Sequence, residues 1–190
     1  MLYTRKGDSG TTKAFNSKPG VRISKSSCQT EALGALDELN SFIGLAKVKL
    51  ADLSWVVNVS ADTTQSLPEV IWWVQECLFI IQAETAGADK HIGEDKVTRL
   101  EFVVDWAERE MPPIKTFFIS GGTECAALLD ISRTLARKAE RRVIAGIEKG
   151  EVVVGPTTLA FLNRLSSLFY ALARLSNHKS GIKEVAPTYQ

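Results

Sequence analysis

In the stretch "LLDISRTLARKAERRV" (128–143), arginines stand at 133, 137 and 141, four residues apart. On a helix that spacing stacks Arg133, Arg137 and Glu140 or Arg141 on one face, one turn above another. A guanidinium keeps its charge and offers a planar fork of donors that matches a phosphate in two bonds at once. A ladder of such groups is therefore suited to a polyphosphate, with Glu140 placed to orient the arginines or to hold a metal-bound water. The alternative is a salt-bridge stripe that faces solvent or a second subunit, because surface arginines commonly do no more than pair with carboxylates.

A second anion-binding pattern lies near the start, in "YTRKGDSGTTKAF" (3–15). Gly7 and Gly10 can reach positive φ and turn backbone N–H groups toward one point, while Thr4, Thr11, Thr12, Lys6 and Lys13 add donors of the kind a phosphate chain needs. Read without context, the same cluster is an ordinary turn. It is not a P-loop, since G-x-x-x-x-G-K-[ST] is absent.

The elements that must position these groups are helices. Apolar spacings of three and four predict a first helix over about 28–50, with Ala32, Leu36, Leu39, Ile43, Ala46 and Leu50 on its buried stripe. A second runs from about Pro68 to Ala86 with Ser66 as N-cap, and a third over 94–111 is stopped by Pro112 and Pro113. "FFISGGTE" (117–124) reads as a loop into a fourth helix over about 123–147, whose buried stripe is expected to be Leu128, Ile131, Leu135, Ala139 and Val143. The fifth opens at Pro156 and continues to about Asn177. Its core side is Leu162, Leu165, Phe169 and Leu172, and Asn163, Ser167, Tyr170, Arg174 and Asn177 form a polar stripe opposite. Helix one has its own second face in Gly34, Asp37 and Ser41. No segment alternates long enough for a sheet, so the expected fold class is all-α, a five-helix bundle. Three polar second faces exceed what a monomeric bundle needs, which suggests an oligomer with polar clefts between subunits.

Composition narrows the function. The 190 residues, 45% of them hydrophobic, suffice for one domain: a loop over 1–27, a bundle over 28–178 and an irregular tail over 179–190. With 23 basic and 22 acidic side chains the net charge is +1, so no global field recruits nucleic acid or an anionic membrane. No long apolar run predicts a span or an export signal, and Cys28, Cys77 and Cys125 are odd in number without a C-x-x-C, which fits reduced thiols in a cytoplasmic protein. His91 and His178 stand in no Glu-x-x-His pair, and there is no G-x-S-x-G elbow, so di-metal and serine-hydrolase chemistry lack support.

Six ordered blocks, "TRKGDSGTT", "RISK", "LGALDELNS", "FFISGGTE", "SRTLARKAERRV" and "FLNRLSSLFYALAR", resemble the trimeric five-helix ATP:cob(I)alamin adenosyltransferases over nearly the whole chain. The resemblance implies that Mg-ATP and cobalamin are substrates. The 5′-deoxyadenosyl group passes from ATP to Co(I), and triphosphate leaves. It implies ATP contacts at Thr4, Gly7, Asp8, Gly10, Thr12 and Lys25, and at Arg137, Lys138, Glu140, Arg141 and Asn163, with Mg²⁺ held mainly by ATP. It pairs Asp37 with Arg133 of a neighbouring subunit in a homotrimer, and sets Phe117 beneath the corrin, where it excludes a lower axial ligand; Arg137 and Phe117 become the catalytic pair. A cobalamin reductase and an adenosylcobalamin-dependent mutase are the implied partners. This chain departs from the family pattern at Ser120, where proline is usual, at Ser167, where aspartate is usual, and at Lys138, where arginine is common. A helical nucleotide-binding or cobalamin-delivery protein without turnover is the other reading, and a purely structural helical oligomer the third.

Overall fold

A computed structural model describes residues 3–189. Five helices carry the fold: α1 (Cys28–Lys49), α2 (Leu67–Thr85), α3 (Glu94–Arg109), α4 (Glu124–Glu148) and α5 (Pro156–Lys179). Helix α1 packs on α2 and α4, and α5 packs on α3 and α4. The Trp73 ring meets Phe161 edge-on at 5.9 Å, which brings α2 against α5 as well. Helix α5 is thus enclosed by three neighbours, and Phe161, Leu162, Leu165, Leu168, Phe169, Leu172 and Leu175 on it are buried.

Local chemistry ends the helices where the sequence predicts. Ser27 caps α1 by accepting from the Thr30 amide. At α2 the Ser66 hydroxyl accepts from the Glu69 amide while the Glu69 carboxylate accepts from the Ser66 amide, a reciprocal capping box. The Ser66 hydroxyl also donates to that carboxylate at 2.7 Å, and this bond, with the one from the Ser66 amide, holds the Glu69 carboxyl below its ordinary range. Thr123 caps α4 by accepting from the Ala126 amide.

Helix α5 begins at Gly155 and Pro156, which offer no side-chain cap of their own. The cap comes from α2 instead. The buried Glu84 carboxylate accepts from the Gly155 amide at 2.7 Å and from the Thr158 hydroxyl at 2.5 Å, so an anion sits at the positive end of the helix. His91 Nδ1 lies 3.1 Å from the same carboxylate, and its Nε2 lies 3.1 Å from Asp89.

Two expectations need correction. Strands do occur, as two small antiparallel ladders: β1 (Thr11–Thr12) with β2 (Ile23–Ser24), and β3 (Val56–Asn58) with β4 (Thr64–Ser66). Each is two or three residues long, too short for alternation to register in a sequence, and the second earns its place by inserting Val57 and Val59 into the core. The buried stripe of α4 is also rotated from the expected one. Ala139 and Val143 are buried, but Ile131 is exposed and Leu128 and Leu135 are only half-buried. The face that packs is Cys125, Leu129, Ser132, Ala136, Ala139, Val143 and Gly146, because small residues let α4 approach α1 and α5 closely. A Cβ at Gly146 would lie 2.5 Å from Val152 Cγ2, so glycine is required there for packing.

The His91 contacts have a consequence in pH. Hydrogen bonding to Glu84, and next to Asp89, raises its pKa above the ordinary 6.5, so the folded protein favours the imidazolium. The resulting stabilisation is complete below pH 6.5 and is lost as pH rises through the elevated folded value. Melting curves across that range should show His91→Gln losing this pH-dependent increment, with its melting temperature converging on that of the wild type at high pH; parallel curves would exclude the coupling.

Candidate functional site

The α3–α4 connection, α4 and α5 enclose an open cleft of about 790 Å³. One wall is apolar and aromatic, with Phe117 and Phe118 from the connection. The other carries Arg133 and Arg137 from α4, and Ser167 and Tyr170 of α5 form the floor. Phe117 is 77% exposed, so its ring stands at the cleft mouth and is not spent on the core.

The connection has its shape because two glycines take conformations other residues avoid. Gly121 and Gly122 have φ of 125° and 99°. A Cβ at Gly122 would lie 2.4 Å from Asn177 Oδ1, so the loop lies directly on the end of α5. Asn177 holds it there: its Nδ2 donates to Gly121 O at 2.9 Å, and its Oδ1 accepts from the Thr123 amide at 2.9 Å.

On α4, Arg137 and Arg141 are exposed and make no ion pair among the described residues. Glu140 accepts from Asn163 Nδ2 at 3.0 Å, which joins those two expected site residues across α4 and α5. Lys138 points elsewhere, and its Nζ lies 2.5 Å from Glu38 of α1. Arg133 Nε lies 3.6 Å from Asp130 Oδ1, an ion pair too long for a hydrogen bond. Asp37 is exposed on α1 without an ion-pair partner among the described residues, and within one protomer it does not meet Arg133.

The N-terminal loop forms a separate group. Gly10, at φ 77°, turns the chain, and its carbonyl accepts from the Lys25 amide at 2.9 Å. A Cβ at Gly7 would approach Lys25 Nζ to 3.1 Å, so the missing side chain admits the ammonium over the loop. Thr4, Asp8 and Lys25 are exposed, and Thr12 is half-buried in the first ladder. Among the described residues no hydrogen bond or ion pair joins Thr4, Gly7, Asp8, Gly10, Thr12 or Lys25 to Arg137, Lys138, Glu140, Arg141 or Asn163. One protomer therefore displays two phosphate-competent groups that no hydrogen bond or ion pair joins among the described residues.

The expected polar stripe of α5 is corrected at its end. Arg174 and Asn177 are 2% and 1% exposed. Arg174 Nη2 donates to Asp130 Oδ2 at 2.6 Å, and Nη1 lies 2.9 Å from Glu184 Oε1. The Tyr170 ring lies under both guanidiniums, 5.2 Å from Arg174 and 6.0 Å from Arg133, and burial raises its phenol pKa. Asp130 and Glu184 were not legible as site residues. Asp130 precedes the arginine ladder in an otherwise apolar run, and Glu184 lies in a tail without periodicity. The cysteines are unbridged, and burial pushes the Cys77 thiol up to about 12, far from a reactive thiolate.

A five-helix bundle with an aromatic lip facing a cationic wall is the class that the fold and the cleft define. The sequence profile described as "Cobalamin adenosyltransferase" matches residues 2–176. The corrinoid adenosyltransferase of Bacillus subtilis is 41% identical over 184 residues, covering 97% of this chain and 90% of that protein. The PduO corrinoid adenosyltransferase of Citrobacter freundii is 32% identical over 99% of this chain, which spans only 54% of that longer protein. A variant PduO-type ATP:corrinoid adenosyltransferase from Lactobacillus reuteri, solved with cobalamin and ATP, superposes with a TM-score of 0.84 at 28% identity, over 99% of this chain and 97% of that one. This chain belongs to the cobalamin adenosyltransferase family.

The loop geometry yields a test independent of ligands. Gly122→Ala should cost about 1 to 3 kcal/mol in urea unfolding, because it combines positive φ with a close approach to Asn177. An unchanged midpoint would show that the connection is not held in this conformation.

Proposed function

We infer that this protein is an enzyme that adenosylates cobalamin with ATP, as its family relationship implies. The structural observation that carries the site assignment is the cleft itself. An exposed Phe117 and Arg137, a cation with no carboxylate partner among the described residues, line the same opening. In the reaction the Co(I) electron pair attacks C5′ of ATP, a Co–C bond forms, the C5′–O bond breaks, and triphosphate departs with that bonding pair. The nucleophile belongs to the substrate, so the protein needs no general base. What it must supply is alignment and compensation of the leaving polyanion's charge.

Arg137 and Arg141 serve as the cationic wall for the triphosphate, with Asn163 orienting Glu140 beside them. Mg²⁺ arrives with ATP and offsets phosphate charge; the Glu140 carboxylate beside the arginines is the group suited to a water of its shell. The loop residues Thr4, Gly7, Asp8, Gly10 and Thr12, with Lys25, cradle the same phosphates. Each site is built between subunits, the loop of one protomer closing on α4 of the next. Asp37 and Arg133 then pair across that interface in a homotrimer. Lys138, tied to Glu38 within the chain, contacts ATP only if it exchanges that carboxylate for phosphate. Phe117 fills the space where an axial ligand would reach cobalt from below, which makes Co(II) easier to reduce.

No helix among the described residues is long and apolar enough to cross a membrane. ATP and a strongly reduced corrinoid place the reaction in the cytoplasm, where a cobalamin reductase supplies the electron and an adenosylcobalamin-dependent mutase takes the product.

The deciding experiment mixes protein, Mg-ATP and chemically reduced cobalamin and follows the light-sensitive Co–C product spectrally. Saturable binding of both substrates without that product would make the chain a delivery protein instead. In the same assay Arg137→Ala should lose about 2 to 4 kcal/mol of transition-state stabilisation with the fold intact. Near-normal kcat/KM for ATP would remove Arg137 from the site. Phe117→Ala should collapse turnover from Co(II) under a weak reductant, while ATP affinity changes little and transfer from preformed Co(I) survives. Equal loss in both assays, with a lowered melting temperature, would reduce Phe117 to a loop anchor.

A further inference from the structure

Arg174 is a charged side chain with only 1% exposure, and the function proposed above gives it no role. Its planar fork is shared between two carboxylates from different elements. Nη2 donates to Asp130 of α4 at 2.6 Å, and Nη1 lies 2.9 Å from Glu184 of the C-terminal segment. Each carboxylate also reaches the loop that carries Phe117. Asp130 Oδ2 accepts from the Gly121 amide at 3.4 Å, and Glu184 Oε1 accepts at 2.7 Å from Asn177 Nδ2, which itself donates to Gly121 O. One residue further along, Val185 O accepts from the Ile119 amide at 2.9 Å. Among the described residues, the polar ties beyond Ile182 are those of Glu184 and Val185 alone.

We propose that Arg174 is a positioning residue for this site: by binding Asp130 and Glu184 together, it clamps the loop 117–122 between α4 and the C-terminal segment and so sets the height of the Phe117 ring. The physical reason is that a buried guanidinium must keep both counter-charges close. A lysine could not replace it, because an ammonium lacks the fork that faces two carboxylates at once. Asp130 also stands 3.6 Å from Arg133 Nε, so the same clamp ties the aromatic lip to the cationic wall. The consequence is specific to one substrate. The clamp supports the lip against which the corrinoid rests, and among the described residues no hydrogen bond or ion pair ties it to Arg137, Arg141 or the N-terminal loop. This rests on the function proposed above.

The test uses the full chain with one substitution on each arm, Glu184→Gln and Asp130→Asn. Hydrogen exchange is read at the Ile119 and Gly121 amides, and KM is measured separately for corrinoid and for ATP. Loss of a charge-assisted bond should raise exchange at Ile119 and Gly121 by about tenfold and the corrinoid KM by a similar factor, with the ATP KM within about twofold. Arg174→Lys should reproduce that split. Unchanged loop exchange in folded Glu184→Gln, an equal rise in both KM values, or exchange that rises evenly through α1–α5 would each overturn the proposal. If Asp130→Asn does not fold, Glu184→Gln decides alone. If the wild type forms no Co–C product, the function proposed above fails by itself, and the clamp is then judged on exchange and on corrinoid affinity from the absorbance spectrum.

Discussion

Helix α5 is enclosed by α2, α3 and α4, and the polar groups buried at its two ends find their partners on other elements. An unmet buried amide or guanidinium costs more than most single contacts return. At its start the requirement is met by Glu84, reaching from α2 to Gly155 and Thr158. At its end it is met by Asp130 from α4, by Glu184 from the tail, and by the loop backbone at Gly121. The two ends of one buried helix thereby fix the entry to α5 and the lip of the cleft. Removing both carboxylates of the Arg174 network would leave an uncompensated buried charge, a loss of about 3 to 5 kcal/mol.

Helix α4 solves a complementary problem. It lies between α1 and α5, and its contact face is built from Ser132, Ala136, Ala139 and Gly146. Small side chains let the helix axes approach, and burying little volume on α4 leaves the larger residues to its neighbours. Arg137 and Arg141 then face outward on a rigid helix, which suits a task of positioning because side chains on helices are held more narrowly than those on loops. Glu140 and Asn163 meet across the α4–α5 seam, so the wall is continued by a second helix.

Among the described residues no hydrogen bond or ion pair ties the N-terminal loop to this wall. The Asn16 side chain packs against Gly87, which lies just beyond the C-terminus of α2, so the loop is anchored on that end of α2. Two cationic surfaces on one chain repel unless a polyanion or another subunit's carboxylates lie between them. Asp37 is an exposed carboxylate without an ion-pair partner among the described residues.

Helices α1, α2, α3 and α5 were legible because their apolar spacing, caps and prolines act locally, within the few residues that a helical turn brings together. Glu140 and Asn163, carried over separately, do meet, and the phenylalanine ahead of the paired glycines is exposed at a cleft. What the sequence did not reveal depends on distance in the chain. The α4 stripe was misread because larger apolar residues, Leu128, Ile131 and Leu135, suggest a core face, whereas close packing against two helices selects the small ones. Arg174 and Asn177 read as part of a polar stripe facing water, a subunit or a ligand, because nothing in their neighbourhood announces that Asp130, 44 residues away, and an aperiodic tail will neutralise and cover them. The one-dimensional pattern determined which segments are helical and which charges exist. Only the tertiary structure decided which of those charges are buried and which remain free, because that depends on which groups packing brings together.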